Sequence, residues 1–204
     1  MLLALHASSA GTLQKQLLPP STPGGRCLDG SPAGYYFAAA DPKTWVIFLD
    51  GGGACYTEDD CTKRAQGKLG SSKSWAATEN PPDAVLSDDC TLNKHFCKAT
   101  KVKVPYCNGD THEGNHTDAT AATWGLYFHG HSSLALIVAK LQAEQGLGSA
   151  DHVLLSGGSA GGKGTFANVD WLADTLPNAV VKGAPNAGWF FPGSLATDQP
   201  QNRQ

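Results

Sequence analysis

Ser159 stands in the run Gly157-Gly158-Ser159-Ala160-Gly161-Gly162, a G-x-S-x-G pattern. Where a strand turns sharply into a helix, small neighbours let such a turn close, and the serine hydroxyl is lifted above the sheet edge. The helix N-terminus that follows favours negative charge developing beside it. The chemistry this points to is acyl transfer by a serine nucleophile. As bare letters the pattern arises by chance in a glycine-rich chain, so its weight comes from the elements on either side. A phosphate-binding turn is the competing reading, but Gly161-Gly162-Lys163-Gly164 lacks the Gly-Lys-Ser/Thr ending that a P-loop needs.

Acyl transfer also needs backbone N–H groups aimed at the oxyanion, commonly from a glycine-rich loop after an earlier strand. Asp50-Gly51-Gly52-Gly53-Ala54 follows an apolar run and fits that place in chain order. Each such donor is worth roughly 100- to 1,000-fold in rate. A rival chemistry is written in His112-Glu113-Gly114-Asn115-His116, which matches H-E-x-x-H. Zinc hydrolysis needs that motif on a helix, so that both histidines share one face. Gly109, Gly114 and Asn115 favour turns, and no third ligand stands at a recognisable spacing.

The elements around Ser159 support the nucleophile. Leu134, Ile137, Val138 and Leu141 recur at helical spacing, with Ser132 or Ser133 placed to cap the start and Gly146 the end. A strand over 152–156 leads into the serine turn. A helix follows, with Phe166, Val169, Ala173 and Leu176 on one face and Pro177 closing it, and then a strand over 179–181. Earlier strands are expected at 35–38, 44–49 and 102–106, with an extended piece at 126–128. Strand and helix alternating in this way predict βαβ units, that is, a mostly parallel sheet with helices on both faces.

Residues 1–25 read as a lead-in, with a signal-peptide remnant as one reading of it, and 26–204 as a single domain. The lead-in carries Met1-Leu2-Leu3-Ala4-Leu5 but no basic residue ahead of it, and its apolar stretch is short for a signal peptide. From Leu18 to Gly25 it is rich in proline, serine and glycine and reads as exposed. The chain has 204 residues and a net charge of −3, which gives no electrostatic case for nucleic acid or an anionic membrane. No apolar run reaches the length of a membrane span. The six cysteines, at 27, 55, 61, 90, 97 and 107, favour disulfides and an oxidising compartment, and leave the pairing open. Four of them fall in a polar stretch from Cys55 to Lys98, expected to be a disulfide-tied excursion over the sheet edge. Asn115-His116-Thr117 is a glycosylation sequon in that setting.

Several blocks in order resemble the pectin acetylesterase family, which includes the Notum deacylases. They are Cys27-Leu28-Asp29-Gly30-Ser31-Pro32, Phe48-Leu49-Asp50-Gly51-Gly52-Gly53, Tyr106-Cys107-Asn108-Gly109-Asp110, Phe128-His129-Gly130, the serine run itself and Asn186-Ala187-Gly188-Trp189-Phe190. The resemblance implies an α/β-hydrolase fold, a Ser-Asp-His triad, ester hydrolysis without a cofactor or metal, and an extracellular setting. It makes Ser159 the nucleophile and the N–H groups of Gly52, Gly53 and Ala160 the oxyanion hole. Departures fall close to the chemistry. Asp50 stands for a family Glu, the first loop lacks the family's Trp, and Gly158 stands where plant members often have Cys. His129 replaces an Arg, and Asn186 replaces an Asp.

In this fold the triad runs Ser, then acid, then His, yet residues 160–204 contain no histidine. Asp170 and Asp174 fall within the helix after Ser159, leaving Asp198 as the other downstream acid. The reading is therefore the nucleophile-bearing part of a longer esterase, with an inactive or binding relative as the alternative. His129 and His131 are upstream candidates for the base, read first as loop histidines. The expected substrate is an acetylated polysaccharide such as pectin, or another acyl ester. A lipid deacylase is the alternative, and would require a deep apolar pocket.

Overall fold

The strand Asp41–Leu49 decides the architecture, because its residues are apolar on both faces. Trp45, Ile47 and Leu49 enter one core, while Val46 and Phe48 enter another. A strand buried on both sides belongs in the middle of a sheet. The computed structural model describes residues 11–81, 84–116 and 118–189. In chain order the strands are β1 (Leu13–Leu17), β2 (Gly34–Ala38), β3 (Asp41–Leu49), β4 (Thr78–Glu79), β5 (Ala99–Val104), β6 (His152–Gly158) and β7 (Val180–Asn186). The helices are α1 (Glu58–Ala65), α2 (Gly130–Glu144) and α3 (Ala160–Thr175).

All seven strands form one sheet in the order β4-β1-β2-β5-β3-β6-β7. The half from β5 to β7 is parallel, and β4, β1 and β2 join it antiparallel. The sheet is therefore mixed where a mostly parallel one was expected. One antiparallel strand comes from the segment expected as a lead-in: Leu13 is fully buried, and β1 pairs with β2 from Gln14↔Phe37 to Leu17↔Gly34. Leu18 is buried too, so only 19–21 and Pro23 of the expected exposed stretch face solvent.

Of the helices expected on both faces, α2 and α3 share one face, while α1 packs its Cys61 with Leu28, Cys55 and Leu126. Leu134, Ile137, Val138 and Leu141 of α2 and Leu172 of α3 pack into the core with Trp45, Ile47 and Leu49. The opposite face, with Val46 and Phe48, is covered by Val85, Leu86 and Phe96. Those residues come from a short 3-10 turn at Ala84–Leu86 and the loop closed by Cys90–Cys97. The other disulfides are Cys27–Cys107 and Cys55–Cys61, which leaves no free cysteine.

The excursion after Cys55 contains a helix that sequence periodicity did not announce. Thr57 caps α1 by accepting the Asp60 N–H at 3.3 Å, and Glu58, Asp59 and Asp60 place negative charge at its N-terminus. The extended piece expected at 126–128 is not a strand; it follows a 3-10 turn at Ala121–Thr123. No helix of the described residues is long and apolar enough to cross a membrane.

Candidate active site

Parallel strands leave the ends of β3 and β6 side by side, and both glycine-rich turns grow from those ends. Leu49 is paired with Gly157, so Asp50 and Gly158 begin their turns at the same level. Ser159 follows with φ 54° and ψ −117°, an unfavourable backbone for a residue with a Cβ. Its N–H donates to the Asn186 carbonyl at 2.9 Å, and its carbonyl accepts the Lys163 N–H at 3.0 Å, so the turn is held from both sides. Ser159 is exposed, and Ala160 after it is buried as the first residue of α3.

The 50–53 loop runs directly against this elbow. A Cβ on Gly51 would lie 3.2 Å from the Ser159 Cβ and run into the Gly158 carbonyl. Gly161 meets the Leu49 carbonyl so closely that it also has no room for a side chain. The structure thus brings Gly51 against Ser159 at the shared end of β3 and β6, with Gly52 and Gly53 following in the same loop.

Four groups fix the loop. Asp50 donates its N–H to the Val104 carbonyl at 3.0 Å, and its carboxylate pairs with Lys103 at 3.0 Å. The Asp50 carbonyl lies 2.9 Å from His112 Nε2, and the Gly52 carbonyl accepts from Arg64 Nη2 at 2.6 Å. Beyond them the Cys55 N–H donates to the Gly109 carbonyl at 3.1 Å. Burial pushes the Asp50 carboxyl above the usual range, with Lys103 acting the other way.

His112 is 1% exposed, and burial lowers its pKa to about 4, so the ring is neutral near pH 7. A carbonyl only accepts, so Nε2 carries the proton. This disposes of the H-E-x-x-H reading. Thr111 and His112 both have positive φ, so the segment is a turn and not the helix that zinc ligation by this motif needs. Glu113 instead binds Lys163 at 3.0 Å and accepts from Thr111 Oγ1 at 2.8 Å. No group of three potential metal ligands is found among the described residues.

The upstream histidines are part of the packing. His129 is fully buried, edge-on to Tyr127 at 5.3 Å. His131 Nδ1 lies 2.6 Å from Asn168 Oδ1, and its ring meets Trp171 at 4.9 Å. Asn168 also donates to the carbonyls of His112 and, within α3, Gly164, so it ties α3 to the 111–113 turn while its contact with His131 ties α3 to α2. Asp110 is the unannounced cap of α2. Its carboxylate accepts the N–H groups of Gly130 at 2.8 Å and His112 at 3.1 Å, in place of the expected serine cap. Burial raises its pKa to about 6 in spite of those bonds. Beside Ala54 opens a cavity of about 360 Å³ lined by Tyr56, Thr111, Glu113, His116 and Phe128.

Arg64, Asp110, His112 and Asn168 carry this architecture; the sequence singled out only His112, and as a zinc ligand, not as a support for the Asp50 carbonyl. Each acts on a backbone group brought near by folding, which sequence spacing does not encode. The Thr117 of the sequon lies outside the described residues, as does Asp198, while Asn115 is exposed and accepts from Ser132 Oγ at 2.7 Å.

With this geometry in hand, the pectinacetylesterase family model matches residues 7–203. The chain belongs to the pectinacetylesterase family. Among pectinacetylesterase relatives, it is 34% identical to pectin acetylesterase 4 of Arabidopsis thaliana over 172 residues, 82% of this chain and 42% of that protein. It is 35% identical to the palmitoleoyl-protein carboxylesterase NOTUM of Mus musculus over 173 residues, 81% of this chain and 34% of that protein. The chain thus spans well under half the length of these curated relatives. Its fold matches the solved Wnt deacylase Notum from Drosophila with a TM-score of 0.82 at 28% identity, covering 92% of this chain and 58% of that one. The α/β-hydrolase fold follows from that likeness.

Proposed function

We propose that this chain carries the nucleophile and oxyanion hole of a serine carboxylesterase that removes acetyl groups from a polysaccharide such as pectin. The observation behind it is the strained Ser159 elbow lying against the Gly51–Gly53 loop. In this reading the Ser159 Oγ attacks the acetyl carbonyl carbon and gives its proton to a general base. The N–H groups of Gly52, Gly53 and Ala160 bind the oxygen that becomes negative, and the first residue of α3 adds the favourable end of a helix dipole. Collapse of the tetrahedral adduct expels the sugar alcohol, which takes a proton, and leaves an acetyl-serine. Water then releases acetate. His112 is not the base, because its Nε2 proton is committed to Asp50. An extracellular setting fits three disulfides.

Acetate is the first reading because removal of an acetyl group needs only a small acyl pocket beside the nucleophile. The similarity to NOTUM keeps a lipid deacylase as the second reading. Hydrolysis of p-nitrophenyl acetate and of p-nitrophenyl octanoate, each with Ser159→Ala as the blank, tests both. The expected result is acetate release that falls at least about 1,000-fold in the variant. Equal rates in the two proteins would show that Ser159 is not a working nucleophile in this chain, and a preference for octanoate would overturn the acetyl assignment.

A further inference from the structure

The peptide between Gly52 and Gly53 has a weakness written into it. Gly52 has φ +154° and Gly53 has φ +73°, and neither carries a Cβ to oppose rotation of the plane between them. In a trans peptide the C=O and N–H point in opposite directions. A half-turn of that plane would aim a carbonyl where the Gly53 N–H had been. An oxyanion hole with its donor replaced by an acceptor repels the charge it should hold. Something outside the loop must choose between the two orientations.

We infer that Arg64 is the positioning residue that makes this choice; the inference rests on the proposed role of the Gly53 N–H. Arg64 Nη2 donates to the Gly52 carbonyl at 2.6 Å, which holds the carbonyl toward α1 and directs the Gly53 N–H away from it. A guanidinium remains charged at any ordinary pH, and a cation on the carbonyl draws electron density from the peptide, making the N–H a stronger donor. Two further observations set Arg64 apart from an ordinary surface arginine. Its Nη1 is buried without a hydrogen-bond partner, although a buried donor of this kind is costly and mostly avoided. Its guanidinium lies 5.6 Å from the centre of the Tyr106 ring. Among the described residues the side chain is therefore held in place by an aromatic face and the Gly52 carbonyl, not by an ion pair. The disulfide Cys55–Cys61 ties the end of the loop to α1, so the arginine and the peptide it holds flank one small covalent ring on either side.

The test compares Arg64→Gln and Arg64→Lys with the parent protein, Ser159→Ala serving as blank. For Arg64→Gln, kcat on p-nitrophenyl acetate is expected to fall roughly 10- to 100-fold with KM little changed, because the loss concerns charge that develops after binding. Arg64→Lys, which keeps a cationic donor, recovers part of it. The Gly53 amide resonance in a ¹⁵N-labelled sample is expected to shift or broaden in Arg64→Gln and to stay near its parent position in Arg64→Lys. A parent kcat in folded Arg64→Gln, or a Gly53 resonance that does not move, overturns the inference. If the parent shows no hydrolysis above Ser159→Ala, Ser159 is not a working nucleophile in this chain and the Gly53 resonance still decides the role of Arg64. Should Arg64→Gln fail to fold, Arg64→Met takes its place: a lowered kcat with a moved Gly53 resonance supports the assignment, and parent values of both reject it.

Discussion

At the scale of the residue, two buried titratable groups in the 110–112 turn make opposite demands on pH. His112 is neutral when folded, with a pKa near 4 against 6.5 in a free imidazole, because burial disfavours its charge. A lowered pKa means that the unfolded chain binds the extra proton first. Its contribution to stability is whole above pH 6.5 and is lost as the pH falls toward 4, by up to about 3 kcal/mol. Asp110 is raised to about 6, so its contribution is present at low pH and lost as the pH climbs from about 4 to 6. Acidification from 6 to 4 thus strains one partner while relieving the other. The unfolding free energy of the parent minus that of His112→Gln should be largest above pH 6.5 and should shrink toward pH 4 in urea titrations. A difference that does not vary with pH would show that His112 is not buried neutral.

At the scale of the element, α3 shows what hydrophobic spacing reads and what it misses. The sequence placed a helix after Ser159 and a face of Phe166, Val169, Ala173 and Leu176. The helix is there, with Leu176 in the core and Val169 packed against it, but its buried face runs through Gly161, Gly164, Thr165, Asn168 and Leu172, and Phe166 is 49% exposed, edge-on to Trp189 at 5.8 Å. Small and polar residues face the sheet because α3 approaches the β3 carbonyl at Leu49 too closely for anything larger. An apolar-periodicity count gives such positions no weight. The same blindness hid β1, whose LQKQL has one fully buried apolar residue and becomes a strand only by pairing with β2 and β4. The strand-turn-helix around Ser159 was legible because its signal is local, lying in glycines and a buried strand adjacent in sequence. A counterintuitive comparison follows. Gly161→Ala, adding one methyl, should cost more stability than Phe166→Ala, removing a ring: about 1–3 kcal/mol of overpacking against under about 1 for an exposed side chain. Denaturant midpoints measure both, and the reverse order would mean that α3 can move off β3 without penalty.

At the scale of the whole molecule, stability leans on covalent ties. Cys27 and Cys107 are separated by 80 residues, against 7 for Cys90 and Cys97. The entropy of the closed loop makes the first bridge worth about 4–5 kcal/mol and the second about 2–3. Paired alanine replacements at 27 and 107 should therefore lower the urea midpoint more than those at 90 and 97; equal losses would mean that the unfolded chain is already compact around the longer loop. The two halves of the sheet also depend on this tie, since Cys27 precedes the antiparallel β2 and Cys107 follows the β5 strand it pairs with.

The three bridges are nested: Cys55–Cys61 and Cys90–Cys97 both lie inside the span of Cys27–Cys107, and none crosses another. As the chain emerges from the ribosome, Cys27 is the first thiol exposed and the last to meet its mate. Until Cys107 appears, four later thiols pass within its reach, each a wrong partner. Short loops close fastest, so the two small rings can seal their own cysteines early and leave Cys27 unclaimed. The order of synthesis then works as a proofreading sequence, in which the inner pairs remove the competitors of the outer one.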